Sequence, residues 1–340
     1  MNCVMTIQRF GVAVLATTVA GIACAQLFET PKIPDTLRAK AQIAKAMEIG
    51  GPDLKDEVQW VCTTRKSVAP PGVKPPMITA LPKWTPAEPT QVFDNLYWLG
   101  FREIGAWVLK TSDGIILFDT LNSAEEAQTI LEPAMAKFGL DPRQIRYMII
   151  SHAHVDHYGG AAYLKRKYGA RIAMGAPDWD YLLKPSPADA LFKNLEKPAR
   201  DMAIKDGDSI TVGDTKVFMF ITPGHTPGSM VSVFPIKDHG RTAKVALIGG
   251  ALSMHSSQEM ERLRANLARY AGPESVVALI NSHPEQNTTN VSHYLLDRSA
   301  PKPFAWSKDK MDRYLRAATE CTTDKVYDPA ATAATRELAK

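Results

Sequence analysis

The segment SHAHVDHYGG, residues 151–160, contains three histidines and one aspartate within six consecutive positions, although the whole chain has only eight histidines. It directly follows QIRYMII, an apolar run that predicts a buried strand. Because side chains alternate along an extended segment, His152 and His154 can point the same way while Ala153 points elsewhere. One such histidine alone is more often structural than a ligand. Four nitrogen and oxygen donors at one strand end indicate a metal site.

The same loop can serve two adjacent metals, because Asp156 and His157 follow where the chain turns toward the next predicted helix. His225 and His283 each come after another apolar run that predicts a strand, KVFMFITPG and SVVALINS. We expect the predicted strands that end in histidine to end at the same edge of the fold. These residues are therefore predicted to meet there.

Two histidines fall outside this set. His239 lies in IKDHGRT and is interpreted as a solvated residue of a turn. His255 follows GGALSM and has two interpretations, a residue that lines the pocket or a structural residue.

The order of predicted elements indicates strands that alternate with helices. The runs AWVLKTS and GIILFDT predict strands, and Asp113-Gly114 between them predicts a hairpin turn. Ser123 is a candidate N-cap for the following amphipathic helix, and Gly139 is its predicted stop. Strand, helix and strand follow in turn, and the second half of the chain repeats this order of elements.

The two ends of the chain differ from the central region in their sequence pattern. Residues 26–91 are predicted to form an arm over the domain, because they end in VAPPGVKPPMITALPKWTPAEPT, where repeated prolines oppose helix and favour extended chain. Near the other end, Met311, Tyr314 and Leu315 fall at helical spacing. Residues 301–340 are therefore predicted to be a helical extension docked on the domain.

Residues 1–25 read as a signal peptide, with an apolar run followed by the small-x-small cleavage site ACA. The run is too short to span a bilayer permanently. The alternatives are an uncleaved anchor and a lipoprotein acylated on Cys24, although Gly21 stands where a lipobox usually has leucine. We expect a periplasmic or secreted protein without a membrane attachment after signal removal.

Charge and cysteine usage fit export. The formal net charge is +4 and no run of five or six like charges occurs, so nothing indicates a nucleic-acid partner. Cys3 and Cys24 leave with the signal peptide, which leaves Cys62 and Cys321. An oxidising compartment favours a disulfide between them. Two separate buried thiols are the alternative.

Three motifs, HAHVDH, GHTPGS and SHP, together with the upstream GIILFDT, resemble the metallo-β-lactamase superfamily over about residues 84–300. The resemblance implies an αββα sandwich, in which two β-sheets pack face to face with helices outside and metals at one edge. The domain is placed at residues 92–300, between the N-terminal arm and the C-terminal extension.

The resemblance is strongest to the third β-lactamase subclass, which binds two zinc ions. In glyoxalase II-like enzymes the strand equivalent to VALIGGALS ends in a bridging aspartate, and in the first subclass that place is a cysteine. Here it is Ala251, which offers no donor. Carried over residue by residue, the first zinc site is His152, His154 and His225, and the second is Asp156, His157 and His283.

Two further roles follow from the resemblance. Ser253 matches a serine implicated in holding the substrate carboxylate. Asp119, at the end of its strand, is interpreted as a residue behind the metal ligands that fixes the ligand loop, and helix capping is the alternative.

The implied function is that of a dizinc hydrolase, which opens the amide bond of β-lactam antibiotics by attack of a zinc-bound hydroxide that Asp156 orients. The substrate is thus a small molecule. A lactonase or another ester hydrolase on the same scaffold is the alternative enzyme, and an exported metal-binding protein without turnover is the alternative in another class.

Overall fold

A computed structural model describes residues 36–63, 84–185, 195–252, 255–272, 276–284 and 306–326. The predicted signal peptide and Ser253 lie outside these ranges. Within them, no helix combines the length and the apolar character needed to cross a membrane.

The first sheet has seven strands in chain order: β1 (Thr90–Phe93), β2 (Leu96–Gly100), β3 (Gly105–Thr111), β4 (Gly114–Phe118), β5 (Ile145–Ile150), β6 (Arg171–Gly175) and β7 (Met202–Ile204). Strands β1 to β4 form an antiparallel meander, and β4 to β7 run parallel. The predicted hairpin at Asp113-Gly114 is confirmed, because Thr111 pairs with Gly114.

The second sheet has five strands in the order β12-β11-β10-β9-β8. They are β8 (Ser209–Val212), β9 (Thr215–Ile221), β10 (Met230–Asp238), β11 (Arg241–Ile248) and β12 (Val276–Ile280). All pairs are antiparallel except β11 and β12, which run parallel.

The described helices are α1 (Leu37–Gly50), α2 (Lys55–Thr63), α3 in three consecutive parts (Ala124–Glu126, the π-helical Ala127–Leu131 and Glu132–Lys137), α4 (Val155–Tyr158), α5 (Ala161–Tyr168), α6 (Ala176–Leu183), α7 (Ser257–Ala271), α8 (Lys308–Glu320) and α9 (Thr323–Val326). Short 3₁₀ turns lie at Pro52–Leu54 and Pro142–Gln144. Ser123 caps α3 as predicted, accepting a hydrogen bond from the backbone N–H of Glu126 at 3.1 Å.

The apolar core has three parts, which correspond to the interfaces of four layers. One part joins the first sheet to α3, α5 and α6, a second lies between the sheets, and a third joins the second sheet to α1, α2, α7 and α8. Between the sheets, Phe118 stacks on Phe234 with ring centroids 4.6 Å apart. Burial of each such side chain stabilises the fold by roughly 1.5 to 3 kcal/mol. The predicted αββα sandwich is confirmed.

The segment predicted to be a proline-rich arm, residues 26–91, is not irregular throughout, because Leu37–Gly50 and Lys55–Thr63 form the helices α1 and α2. Thr36 begins α1 by accepting a backbone hydrogen bond at 3.1 Å, and Gly51, with a φ of 79°, follows its last residue. Pro52 opens a 3₁₀ turn, where a missing N–H costs no hydrogen bond. The repeated prolines come only after residue 63, so they do not oppose these helices.

The first two helices and α8 form a helical layer on the second sheet. The disulfide expected from the sequence is present between Cys62 of α2 and Cys321, which directly follows α8. Arg313 of α8 binds the carboxylate of Asp53 through two hydrogen bonds of 2.9 Å. The three apolar residues expected to form the docking face of α8 are buried: Met311, Tyr314 and Leu315.

Candidate metal centre

The six predicted metal ligands come together from the ends of three strands. The loop after β5 and the short helix α4 carry four of them, the loop between β9 and β10 carries a fifth, and the segment after β12 carries the sixth. Their donor atoms form two groups, each with all atoms within 4.8 Å of one another: His152, His154 and His225, and Asp156, His157 and His283.

The first group consists of three ring nitrogens that face one another. Nδ1 of His154 lies 3.1 Å from Nε2 of His152 and 3.0 Å from Nε2 of His225. The three rings cross at angles of 74° to 85° rather than stacking. Lone pairs at such distances repel unless a proton or a cation lies between them, and three converging nitrogens fit a metal ion.

The second group contains a buried nitrogen that has no hydrogen-bond partner among the described residues. Oδ2 of Asp156 lies 3.6 Å from Nε2 of His157 and 3.3 Å from Nε2 of His283. Within the part of the chain that the structure describes, no hydrogen bond reaches Nε2 of His157, although the residue is almost completely buried. A buried polar atom in this state is costly, and a metal bond would satisfy it. The donors present therefore fit a second metal ion.

The pKa values of the donors favour their metal-binding forms. Burial lowers the pKa of His152, His154 and His225, and the pKa of His154 falls to about 4. These imidazoles are therefore neutral at pH 7. Burial alone would raise the pKa of Asp156, but attraction by the neighbouring histidines holds it well below its usual range. Neutral imidazoles with a carboxylate are a donor set that suits zinc.

The structure places Asp119 directly behind the second group. It is completely buried, has a φ of 60°, and its Oδ2 lies 2.7 Å from Nδ1 of His157. The same carboxylate accepts hydrogen bonds from the backbone N–H of Ser151 at 2.7 Å, from its Oγ at 2.8 Å and from Oγ of Ser282. A carboxylate at Nδ1 leaves Nε2 of His157 free for a metal. Ser123, not Asp119, caps the following helix.

His283 of the second group is oriented by hydrogen-bonding groups of Glu103 and Asn281. Its Nδ1 lies 3.0 Å from the carbonyl oxygen of Glu103, in the turn between β2 and β3. Oδ1 of Asn281 accepts a hydrogen bond from the backbone N–H of His283 at 2.9 Å. Nδ2 of Asn281 donates to the carbonyl oxygens of Ile248 and Gly250 at 2.9 and 2.8 Å. The ligand segment is thereby tied to the end of β11.

The end of β11 brings no metal donor to the site. A Cβ atom at Gly250 would lie 2.4 Å from Cβ of His225, so a side chain there would displace a ligand. The next residue is Ala251. His255 is completely buried, and its Nδ1 lies 3.2 Å from the carbonyl oxygens of Ala251 and Leu252, so the ring is anchored in this turn.

Sequence reasoning missed four residues that support the ligands. Ser151, Ser282 and Asn281 stand within two residues of a predicted ligand, and that proximity was a usable signal. Asp178 gave no such signal, because an acidic residue in the first turn of a helix is ordinary. It is nevertheless completely buried and accepts hydrogen bonds from two ligand loops.

Two sheets enclosed by helices, with histidine and aspartate donors at the strand ends, define a candidate metal-binding domain of the αββα class. Residues 99–240 match the family model of the metallo-β-lactamase superfamily. Residues 99–240 thus form a domain similar to those of this superfamily.

Solved structures agree with the third-subclass resemblance. BJP-1, a subclass B3 metallo-β-lactamase of Bradyrhizobium japonicum, is 28% identical with a TM-score of 0.56, over 75% of this chain and 97% of that one. The metallo-β-lactamase MIM-1 from Novosphingobium pentaromativorans is 26% identical with a TM-score of 0.52, over 68% of this chain and 88% of that one.

Curated sequences are similar over shorter stretches. A hydroxyacylglutathione hydrolase of Acidiphilium cryptum is 30% identical over 113 residues, which are 32% of this chain and 40% of that protein. The chain thus spans well under half the length of this relative.

Proposed function

We propose that the chain is a periplasmic or secreted dizinc hydrolase that opens the amide bond of β-lactam antibiotics, an activity that would confer antibiotic resistance. The observation that carries the proposal is the pair of ligand groups, three histidines beside Asp-His-His, next to a β11 end without a donor at Ala251. The resemblance assigns this combination to the third β-lactamase subclass. The likeness to BJP-1 supports the same assignment.

A zinc pair, when bound, supplies an activated water and a Lewis acid for the carbonyl oxygen of the substrate. The protein's own residues supply position and proton control. Oδ2 of Asp156 lies 3.3 Å from Nε2 of His283, so its carboxylate would bind the second metal and could accept a hydrogen bond from the attacking water. Asp119 holds the ring of His157 in the orientation that leaves Nε2 free.

Ser253 is assigned to the substrate carboxylate on the resemblance alone. Replacing Ser253 by alanine should raise KM for β-lactams that carry the carboxylate more than it lowers kcat, because a ground-state contact is lost. An equal loss on a substrate without the carboxylate would contradict the assignment.

A second candidate is an ester or thioester hydrolase, and the relative named hydroxyacylglutathione hydrolase favours it. Carbonyl attack by activated water would serve this reaction equally well. The absence of a carboxylate at Gly250 and Ala251 argues against the glyoxalase II type of site, which has a bridging aspartate at the end of that strand.

The test compares kcat/KM of the zinc-loaded, purified protein on a chromogenic cephalosporin, a panel of lactones and a hydroxyacylglutathione thioester. The cephalosporin is expected to be the best substrate, and His152→Ala protein purified in parallel controls for contaminating β-lactamase. Faster turnover of a lactone or the thioester would replace the proposal by the second candidate. Two bound zinc ions without turnover of any of these would indicate a metal-binding protein.

A further inference from the structure

Asp178 lies where the two loops that carry the first ligand group meet. Its Oδ2 accepts hydrogen bonds from the backbone N–H of Ala153 and from Oγ1 of Thr226, both at 2.7 Å. Its Oδ1 accepts from the backbone N–H of Gly228 at 2.6 Å. Ala153 stands between two ligands of the first group, and Thr226 follows the third ligand. One carboxylate therefore joins the backbone segments of all three.

The packing around Asp178 leaves little room for another acceptor. A Cβ atom at Gly228 would lie 2.4 Å from the backbone nitrogen of Asp178, and one at Gly175 would lie 2.2 Å from the carbonyl oxygen of Gly228. Asp178 itself is completely buried. If the carboxylate were lost, the two backbone N–H groups would have to move to find new partners.

Asp178 and Asp119 contact different parts of the metal centre. Among the described residues, the hydrogen bonds of the Asp178 side chain reach Ala153, Thr226 and Gly228, none of which belongs to the second ligand group. Asp119 contacts His157 of the second group and Ser282, which precedes another of its ligands, and it also accepts from Ser151, which precedes His152 of the first group. Asp178 thus supports the first group most directly, whereas Asp119 supports the second group and also holds the start of the first ligand loop.

We propose that Asp178 is a positioning residue that fixes the spacing of the two loops bearing His152, His154 and His225, and thereby sets the metal affinity of the three-histidine site. This role rests on the proposed function only in requiring that the site binds zinc. It concerns metal affinity and does not depend on which substrate is hydrolysed.

The test measures the two sites separately in full-length protein. His157→Ala leaves the three-histidine site intact, and His152→Ala leaves the Asp-His-His site intact. Zinc affinity is determined by competition with a chromophoric chelator, and the absorption spectrum of bound cobalt(II) reports the ligand geometry. Asparagine at position 178 offers one acceptor oxygen where two are used. Asp178→Asn is expected to weaken zinc binding about 10- to 100-fold in the His157→Ala protein, and less than about threefold in the His152→Ala protein.

Asp201→Asn is the matched control. Asp201 accepts a hydrogen bond from the backbone N–H of Ile172 at 3.0 Å, near the start of β6, whereas Asp178 lies just beyond its end. This variant removes a carboxylate beside the same strand without touching a ligand loop, so zinc affinity should stay unchanged at both sites.

A second pair of variants keeps the test decisive if Asp178→Asn does not fold. Thr226→Val removes the hydroxyl that donates to Asp178, and Thr226→Ser retains it. Valine should weaken the three-histidine site several-fold and change its cobalt spectrum, whereas serine should preserve both.

Two results would overturn the positioning role. One is equal weakening of both sites, and the other is unchanged affinity accompanied only by lower thermal stability. Wild-type protein that binds two zinc ions without hydrolysing β-lactams would refute the proposed substrate and leave this role standing. Wild-type protein that binds no zinc would refute both.

Discussion

The metal-binding edge and the helical layer of the chain ends are held together by different interactions. At the edge, ligand loops are fixed by hydrogen bonds to the buried carboxylates Asp119 and Asp178. In the helical layer, apolar contacts, the Cys62–Cys321 disulfide and ion pairs of Arg313 join helices distant in sequence. Changes at the edge should therefore alter metal binding and turnover, whereas changes in the layer should alter stability.

The largest expected effect is loss of the first metal. His152→Ala should lower kcat/KM at least about 10⁴-fold, because it removes a buried ligand from the three-histidine group. Metal analysis should show fewer zinc ions than the two expected for the wild type, and a chelator should inactivate the wild type. His239→Ala is the control, because that side chain is 76% exposed in a distant turn and should have no effect. Full activity with one zinc ion would contradict the role of the second group.

Loss of the disulfide should lower stability and leave metal binding and turnover nearly unchanged. Reduction, or replacement of both Cys62 and Cys321 by alanine, should lower the free energy of unfolding by about 3 to 5 kcal/mol, because the bridge closes a loop between residues 259 positions apart. Zinc content and initial rate at room temperature should change little, since the bridge lies in the helical layer. Chemical unfolding measures the first effect. Two titratable thiols in denatured, unreduced protein from the periplasm would show that the exported protein has no bridge.

Asp119→Asn should have an intermediate effect that is largest at the second ligand group. An amide at this position cannot accept from Ser151, His157 and Ser282 together, so the ring of His157 loses its fixed orientation. Zinc affinity of the Asp-His-His site should fall about 10- to 100-fold, and the three-histidine site should change less. Titration of the metal-free protein with cobalt(II) checks this, and equal weakening of both sites would contradict it.

The grouping of the six predicted ligands could be anticipated because the signal is local. The strand before His152 ends in an apolar run, alternation sets the directions of its side chains, and histidine is rare elsewhere in the chain. The roles of Asp178 and Ser282 could not be predicted in the same way. Each role depends on a hydrogen-bond partner more than 20 residues away in sequence, and the two residues become neighbours only in the folded sheets.

The N-terminal helices α1 and α2 were not predicted, for a different reason. The prolines after residue 63 dominated the interpretation of residues 26–91, although α1 contains none. In α3, Pro133 is the second residue of the α-helical part Glu132–Lys137, which follows the π-helical turn Ala127–Leu131. The helix was predicted, but its local adjustment depends on packing.

The smallest expected effect concerns Asp201, which stabilises the sandwich without contacting a ligand loop. Burial alone would raise its pKa, but hydrogen bonds from Lys165, Ile172 and Arg171 outweigh burial and hold the pKa at about 2, below the ordinary 3.8. The unfolded chain therefore binds more protons between these values. The contribution is complete above pH ~5 and is lost as the pH falls toward 2; with solvent screening it is about 1 kcal/mol. Urea unfolding of metal-free wild type and Asp201→Asn should show this difference at pH 7 and almost none at pH ~2. If the difference in free energy of unfolding were as large at pH ~2 as at pH 7, packing rather than charge would hold this end of β6. If Asp201→Asn lowered zinc affinity, stability of the sandwich and metal binding at the edge would not be independent.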